Sequence, residues 1–251
     1  DNWNIVLKKA ERTGKLIFVD CYTSWCGPCQ TLAKEVFTLD SVADFFNRHF
    51  LCVKLDIEKG KGLELKKPFE IRAYPTLLFL DGKQQVVHRI VGCDGAEYLM
   101  KEAGKALDPQ LNFRAMQERY MAGERATDFI LEYLNYLGHA YLEEEANAIA
   151  LQYLQGFKEE ELITSANWKI IEKYIKDPLA IPLQVVMKRR KAFFDLAPEQ
   201  EVINKLNLTC RSALLPFTRW RPDSEIVFDE RYYDALVAYF KSVDYDLAPE
   251  C

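Results

Sequence analysis

Cys26 and Cys29, in the stretch Trp25-Cys26-Gly27-Pro28-Cys29, are the residues of this chain whose types and spacing are best suited to chemistry. Two intervening residues at the start of a helix put the sulfurs within disulfide reach. The first amides of a helix have no intrahelical acceptor, and the helix dipole adds positive potential there, so a thiolate is favoured over a thiol. Cys26, the earlier and more exposed of the pair, is the expected nucleophile. Cys29, one helical turn behind, is the expected resolving thiol that releases a mixed disulfide. Gly27 and Pro28 suit this place, since proline fits a first helical turn and lacks an N–H that would go unused. The same spacing also serves zinc, but a zinc site needs a second ligand pair and the sequence offers none. No metal or other cofactor is called for.

The remaining reactive residues are sparser. Asp20 ends the apolar run Leu16-Ile17-Phe18-Val19, so burial should raise its pKa. Lys54 interrupts a second apolar run and is a candidate partner for it. Cys21 follows Asp20 and so faces the other side of a strand, toward a core. Cys52, Cys93, Cys210 and Cys251 bring the cysteines to seven, an odd number that does not read as a disulfide framework. Most of these read as buried or incidental thiols. His49, His88 and His139 are scattered, with no ligand spacing.

Elements must carry these groups. Helical periodicity over 2–13 ends at Gly14, and Leu16–Val19 reads as a strand covered on both faces. A helix is expected from Gln30 through Phe37 and another from Ser41. A strand follows at Leu51–Ile57, then a helix from Lys61 to Ile71. Leu77–Leu80 and Gln85–Val91 flank Asp81-Gly82, a hairpin signal. Asp94-Gly95-Ala96-Glu97 reads as a capping box that opens a helix to Leu107. The order is αβαβαββα, which combines a parallel strand–helix–strand unit with an antiparallel hairpin.

With those landmarks in register, residues 1–107 resemble a thioredoxin-fold domain. Val19-Asp20 lies six residues before Cys26, Trp25 precedes the dithiol, and Lys54 sits in what should be the central strand. Tyr74-Pro75-Thr76 matches the family's cis-proline loop, and Gly92 lies at the end of the hairpin. One departure stands out: Lys34-Glu35-Val36-Phe37 lacks the helix-kinking proline of typical thioredoxins. The following Thr38–Val42 stretch is more similar to bacterial thioredoxin-like proteins of the cell envelope. The resemblance implies an α/β fold with a central mixed sheet flanked by helices. It also implies that Asp20 is the proton acceptor that helps Cys29 ionise, through water. It further implies a cis Tyr74–Pro75 bond and a flat substrate-docking face of Trp25, Gly27, Pro28, Tyr74, Pro75, Val91, Gly92 and Cys93. Cys93 then reads either as a third accessible thiol or as an inert half-buried one.

Composition changes after Leu107-Asp108-Pro109, and residues 108–251 read as an all-α domain. Phe129, Ile130, Tyr133, Leu134 and Leu137 form one stripe ended by Gly138. Tyr141, Ala146, Ile149, Ala150, Tyr153 and Leu154 form another ended by Gly156, so an antiparallel helix pair is expected. Leu134, Tyr141, Ala150 and Leu154 sit at tetratricopeptide-like offsets, and Trp168 follows Leu134 by thirty-four residues. Further helices are expected at 165–176, 183–196, 198–212 and 230–243, punctuated by Pro178, Pro182, Pro198, Pro216 and Pro222. Lys188-Arg189-Arg190-Lys191 reads as a solvated helix face.

A formal charge of −5 disfavours a general nucleic-acid binder, and no apolar run reaches the length of a membrane span. The reading is a thiol–disulfide oxidoreductase that reduces or exchanges protein disulfides, with a separate electron donor or acceptor as its redox partner. The alternative is a helical-repeat adaptor in which the redox centre is subsidiary. The sequence begins at Asp1 rather than at methionine, which leaves a removed leader open. The resemblance favours the periplasm or cell envelope over the cytoplasm.

Overall fold

The computed structural model describes residues 3–218 and 228–243. Pro222 and Cys251 therefore lie outside the described residues. The elements are α1 (Trp3–Thr13), β1 (Leu16–Tyr22), α2 (Gly27–Thr31), a π-helical turn (Leu32–Val36), α3 (Asp40–His49), β2 (Phe50–Asp56), α4 (Gly60–Lys66), β3 (Thr76–Leu80), β4 (Val86–Val91) and α5 (Ala96–Leu107). They continue as α6 (Phe113–Met121), α7 (Thr127–His139), α8 (Glu143–Leu154), α9 (Glu159–Leu162), α10 (Ser165–Tyr174), α11 (Ile181–Lys188), α12 (Arg190–Phe194), α13 (Glu199–Thr218) and α14 (Glu230–Ser242).

The chain forms two compact units. One comprises Asp1–Phe129 with Asn135–Leu142, the other Ile130–Leu134 with Glu143–Cys251. The first is a thioredoxin-like layered domain. Its sheet runs β2-β1-β3-β4, with β1 parallel to β2 and the other pairings antiparallel. Ile17, Val19 and Cys21 face one core with Trp3, Leu65, Ile71 and Leu78. Phe18 faces the other with Leu32, Val42, Phe46, Phe79 and Leu99. Alternation along one strand thus fills both layers, which is why the run Leu16–Val19 is apolar without a break.

Several expectations need correction. Lys54 lies on an edge strand rather than a central one, because β2 has a neighbour on one side alone among the described residues. The helix from Lys61 stops at Lys66, and Leu63 is 61% exposed rather than part of a buried stripe. Close approach shapes this element: a Cβ on Gly62 would lie 2.0 Å from the Asp56 carbonyl oxygen. Glu70, at φ +48°, then turns the chain before Ile71. No capping box forms at α5, whose N-cap is Gly95 at φ +92° with no side-chain cap. The hairpin is held by Asp81, whose Oδ1 accepts the N–H groups of Lys83 and Gln85 at 2.9 Å each.

The layered unit continues past Leu107. His88, fully buried on β4, accepts the Phe113 N–H at Nδ1 (3.3 Å) and faces Glu102 Oε2 through Nε2 (3.1 Å). With Nδ1 accepting, Nε2 carries the proton. Tyr136 accepts the Arg89 N–H and donates to the Arg89 carbonyl, both at 2.8 Å, and stacks on Phe113 at 4.8 Å. These bonds fasten α6 and the end of α7 to β4.

The second unit is helical throughout its described residues. Ala146, Ile149, Ala150, Tyr153 and Leu154 are buried on α8, and Trp168, Ile171 and Tyr174 on α10. Asn147 donates to the Tyr174 carbonyl at 2.9 Å, and Trp168 donates to Glu201 at 2.8 Å. Tyr141 does not join the stripe assigned to it: it is exposed and adopts φ +58° in a turn. The helix expected over 183–196 divides at Arg189, and Pro216 lies inside α13 rather than between helices. Lys188 and Arg189 both pair with Glu159, as a solvated basic face can.

Candidate active site

β1 carries the chain to a short loop, and α2 begins at the dithiol. Cys26 is the N-cap of α2, and its sulfur accepts the Cys29 N–H at 3.1 Å. A sulfur in this position meets an otherwise orphaned amide at the positive end of a helix, the environment that stabilises a thiolate. The two cysteines are joined in a disulfide with a Cα–Cα distance of 5.3 Å. In this oxidised form each is 3% exposed, so exposure does not single out Cys26. What distinguishes it is the cap position, which Cys29 lacks.

The missing proline has a structural counterpart. After Thr31 the helix widens into the π turn, closed by the Phe37 N–H to the Leu32 carbonyl at 3.0 Å. Turns of this kind recur at functional sites. Here the turn buries Leu32 and Val36 and brings Phe37 edge-on to Phe18 at 5.8 Å.

Asp20 is 3% exposed, and neither carboxylate oxygen has a hydrogen-bond partner. Burial pushes its pKa up to about 6, with the Lys54 charge pulling weakly the other way. Lys54 is its register neighbour on β2, but its ammonium lies over the Tyr22 ring, 4.4 Å from the centroid. Asp20 is among the residues that line a cavity of about 350 Å³ between the sheet, the π turn and α3.

The Tyr74–Pro75 bond is cis, and the Gly92 N–H donates to the Pro75 carbonyl at 2.9 Å. The two loops that carry Tyr74-Pro75 and Val91-Gly92-Cys93 are thereby tied together. Pro75 is buried, Gly27 and Pro28 are exposed, and Tyr74, Val91, Gly92 and Cys93 are half-buried. Trp25 is 64% exposed and meets Tyr74 edge-to-face at 5.8 Å. Cys93 donates to the Gly95 carbonyl at 3.4 Å and packs against the core that includes Leu32 and Leu99. Burial raises its pKa, which favours the inert reading over a third reactive thiol. Cys21 and Cys210 are buried, whereas Cys52 is exposed on the edge strand.

One member of the face had no signal in the sequence. Glu58 receives the Trp25 indole N–H on both carboxylate oxygens, at 3.1 and 3.0 Å. An acidic residue two positions beyond a strand is ordinary surface, and the contact spans thirty-three residues of chain.

Known proteins resemble the first part of this chain. A family model described as thioredoxin-like matches residues 1–82. A thioredoxin H-type of Fagopyrum esculentum is 36% identical over 101 residues, covering 40% of this chain and 81% of the relative. Thioredoxin H-type 1 of Nicotiana tabacum is 34% identical over 100 residues, covering 39% of this chain and 71% of the relative. A solved structure of a candidate disulphide-isomerase from Bacteroides thetaiotaomicron is 49% identical to the part it matches. It covers 42% of this chain and 88% of its own, at a TM-score of 0.39.

Proposed function

The chain belongs to the thioredoxin family through its first domain, and from that premise we propose that it is a thiol–disulfide oxidoreductase acting on protein disulfides through Cys26 and Cys29. The observation that carries the reading is the capped disulfide at the start of α2, with a buried carboxylate of raised pKa on the preceding strand.

In the reducing direction the dithiol form begins the cycle. The Cys26 thiolate attacks one sulfur of a client disulfide, forming the Cys26–client bond and expelling the other client sulfur as a thiolate, which takes a proton. Asp20, ionised, accepts the Cys29 proton across water. The Cys29 thiolate then attacks Cys26 Sγ, forming the Cys26–Cys29 bond as the Cys26–client bond breaks, and the second client sulfur leaves as a thiolate and takes a proton. Two electrons have passed to the client, and the protein is left in the disulfide state. A separate dithiol donor must restore it. Trp25, Tyr74 and the Pro75 and Gly92 loops form the apolar face on which the client lies, its backbone pairing beside Pro75 as an added strand. Glu58 holds the Trp25 indole in that face.

The helical unit is read as repeat-like and as a surface that selects clients, on the tetratricopeptide-like offsets of Leu134, Ala150 and Leu154, all buried, while Tyr141, the fourth such position, is exposed. The Thr38–Val42 stretch supports a place in the cell envelope. Insulin reduction by excess dithiothreitol tests the central claim. The wild-type chain should accelerate precipitation of the insulin B chain, Cys26→Ser should abolish the acceleration, and Cys29→Ser should accumulate a Cys26–client mixed disulfide visible by mass spectrometry. A wild-type rate no faster than dithiothreitol alone would sink the proposal.

A further inference from the structure

The cavity beside Asp20 has the size and lining of a ligand site: about 350 Å³, within the range of small-molecule pockets. Its apolar wall is aromatic. Phe18, Phe37 and Phe46 meet one another at centroid distances of 4.7 to 6.5 Å and interplanar angles of 61° to 80°. Rings so disposed offer both edges and faces to a further ring. Its polar group is the Asp20 carboxylate, nearly fully buried and without a partner on either oxygen. A buried carboxylate in this state favours any donor brought to it. Lys54, also in the lining, disfavours a cationic ligand, and Asp20 itself disfavours an anionic one.

We propose that this cavity binds a small neutral aromatic molecule through one O–H or N–H donated to Asp20, with its ring among Phe18, Phe37 and Phe46. Such a ligand stabilises the carboxylate and displaces the water through which Asp20 takes the Cys29 proton. Occupancy therefore slows release of the mixed disulfide while leaving the first attack by Cys26 unchanged. This kinetic consequence rests on the oxidoreductase reading above, whereas the binding itself does not.

The probe is phenol, titrated into the full-length oxidised protein and followed by amide and aromatic NMR. Saturable shifts should cluster at Phe18, Asp20, Phe37, Phe46 and Val53. Ala43→Phe, which fills the cavity from α3, should abolish the shifts, and its release rate without phenol should lie near that of the phenol-saturated wild type, since the introduced ring displaces the same water. Asn47→Trp, at the same lining, is the second variant should the first lower the melting temperature. In single-turnover measurements saturating phenol should slow mixed-disulfide release at least about tenfold, against the 10²–10⁴ typical of a lost general base. Cyclohexane, which has no donor, should bind more weakly than phenol. Absence of saturable shifts, or shifts that survive both cavity-filling variants, would show a water-filled cavity only and overturn the proposal. Localised binding with no effect on release would overturn the kinetic claim, and failure of insulin reduction without phenol would count against the oxidoreductase reading instead.

Discussion

Asp20 carries opposed demands. Its pKa of about 6 lies above the ordinary carboxylate value of 3.8, so the folded protein prefers the neutral acid. The stability this group contributes is fully present below about pH 4 and is lost as pH rises through about 6. The penalty at neutral pH amounts to about 3 kcal/mol for a shift of this size. Asp20→Asn removes the ionisation and should raise the urea midpoint at pH 7.5, the gain vanishing below pH 4. The same substitution should slow release of the mixed disulfide far more than the first attack. In the wild type, release should fall away below about pH 6 as the base is protonated. Unchanged pH profiles for both steps would remove Asp20 from the mechanism. The burial of this carboxylate could be read from Val19-Asp20 at the end of an apolar run, because strand alternation is local. The cavity beside it could not, since it is lined by Phe37, Ala43 and Val53 from three separate elements.

Among the elements, β4 does more than close the hairpin. His88 joins β4 to α5 and α6, and Glu102 answers it from α5 with Lys105 at 2.7 Å. Burial alone would raise the Glu102 pKa, but hydrogen bonds from His88 and Lys105 outweigh it and bring it down to about 2. A depressed carboxylate contributes stability above its unfolded value, lost as pH falls from about 4.5 toward 2, on the order of 3 kcal/mol here. Glu102→Gln should therefore lower the denaturant midpoint at pH 7 and converge with wild type near pH 2. His88→Leu removes the ring nitrogens that meet the Phe113 N–H and Glu102, and should cost about 2–4 kcal/mol. A loss below about 0.5 kcal/mol would remove the network's claim to hold α6. Scattered histidine positions gave no hint of this, because the partners lie fourteen and twenty-five residues away. The π turn is equally a product of packing: the sequence has no proline after the dithiol, but that does not specify the wider turn that takes its place.

At the scale of the molecule, the composition shift at Leu107 marks where β-type alternation ends, while the compact layered unit takes in α6 and the chain through Leu142. Phe113 and Tyr136, both beyond Leu107, satisfy buried groups of His88 and Arg89. A protein ending at residue 107 should therefore melt several degrees lower than one ending at 142, by the loss of two to three buried hydrogen bonds at about 1 kcal/mol each. Equal melting temperatures would show that the layered domain needs neither segment. The order of strands and helices and the dithiol at a helix start were legible in the sequence, because each depends on neighbours within a few residues, whereas the cis Tyr74–Pro75 bond was expected from the family resemblance alone. Periodicity fixes which face of a strand or helix is apolar, and spacing fixes which sulfurs can meet. Tertiary structure alone decided that β2 is an edge strand, that Trp25 is held by Glu58, that Cys93 is half-buried and bonded to the Gly95 carbonyl, and that Asp20 borders a cavity. Each of those depends on segments far apart in the chain packing together, and no local pattern records which distant side chains will meet.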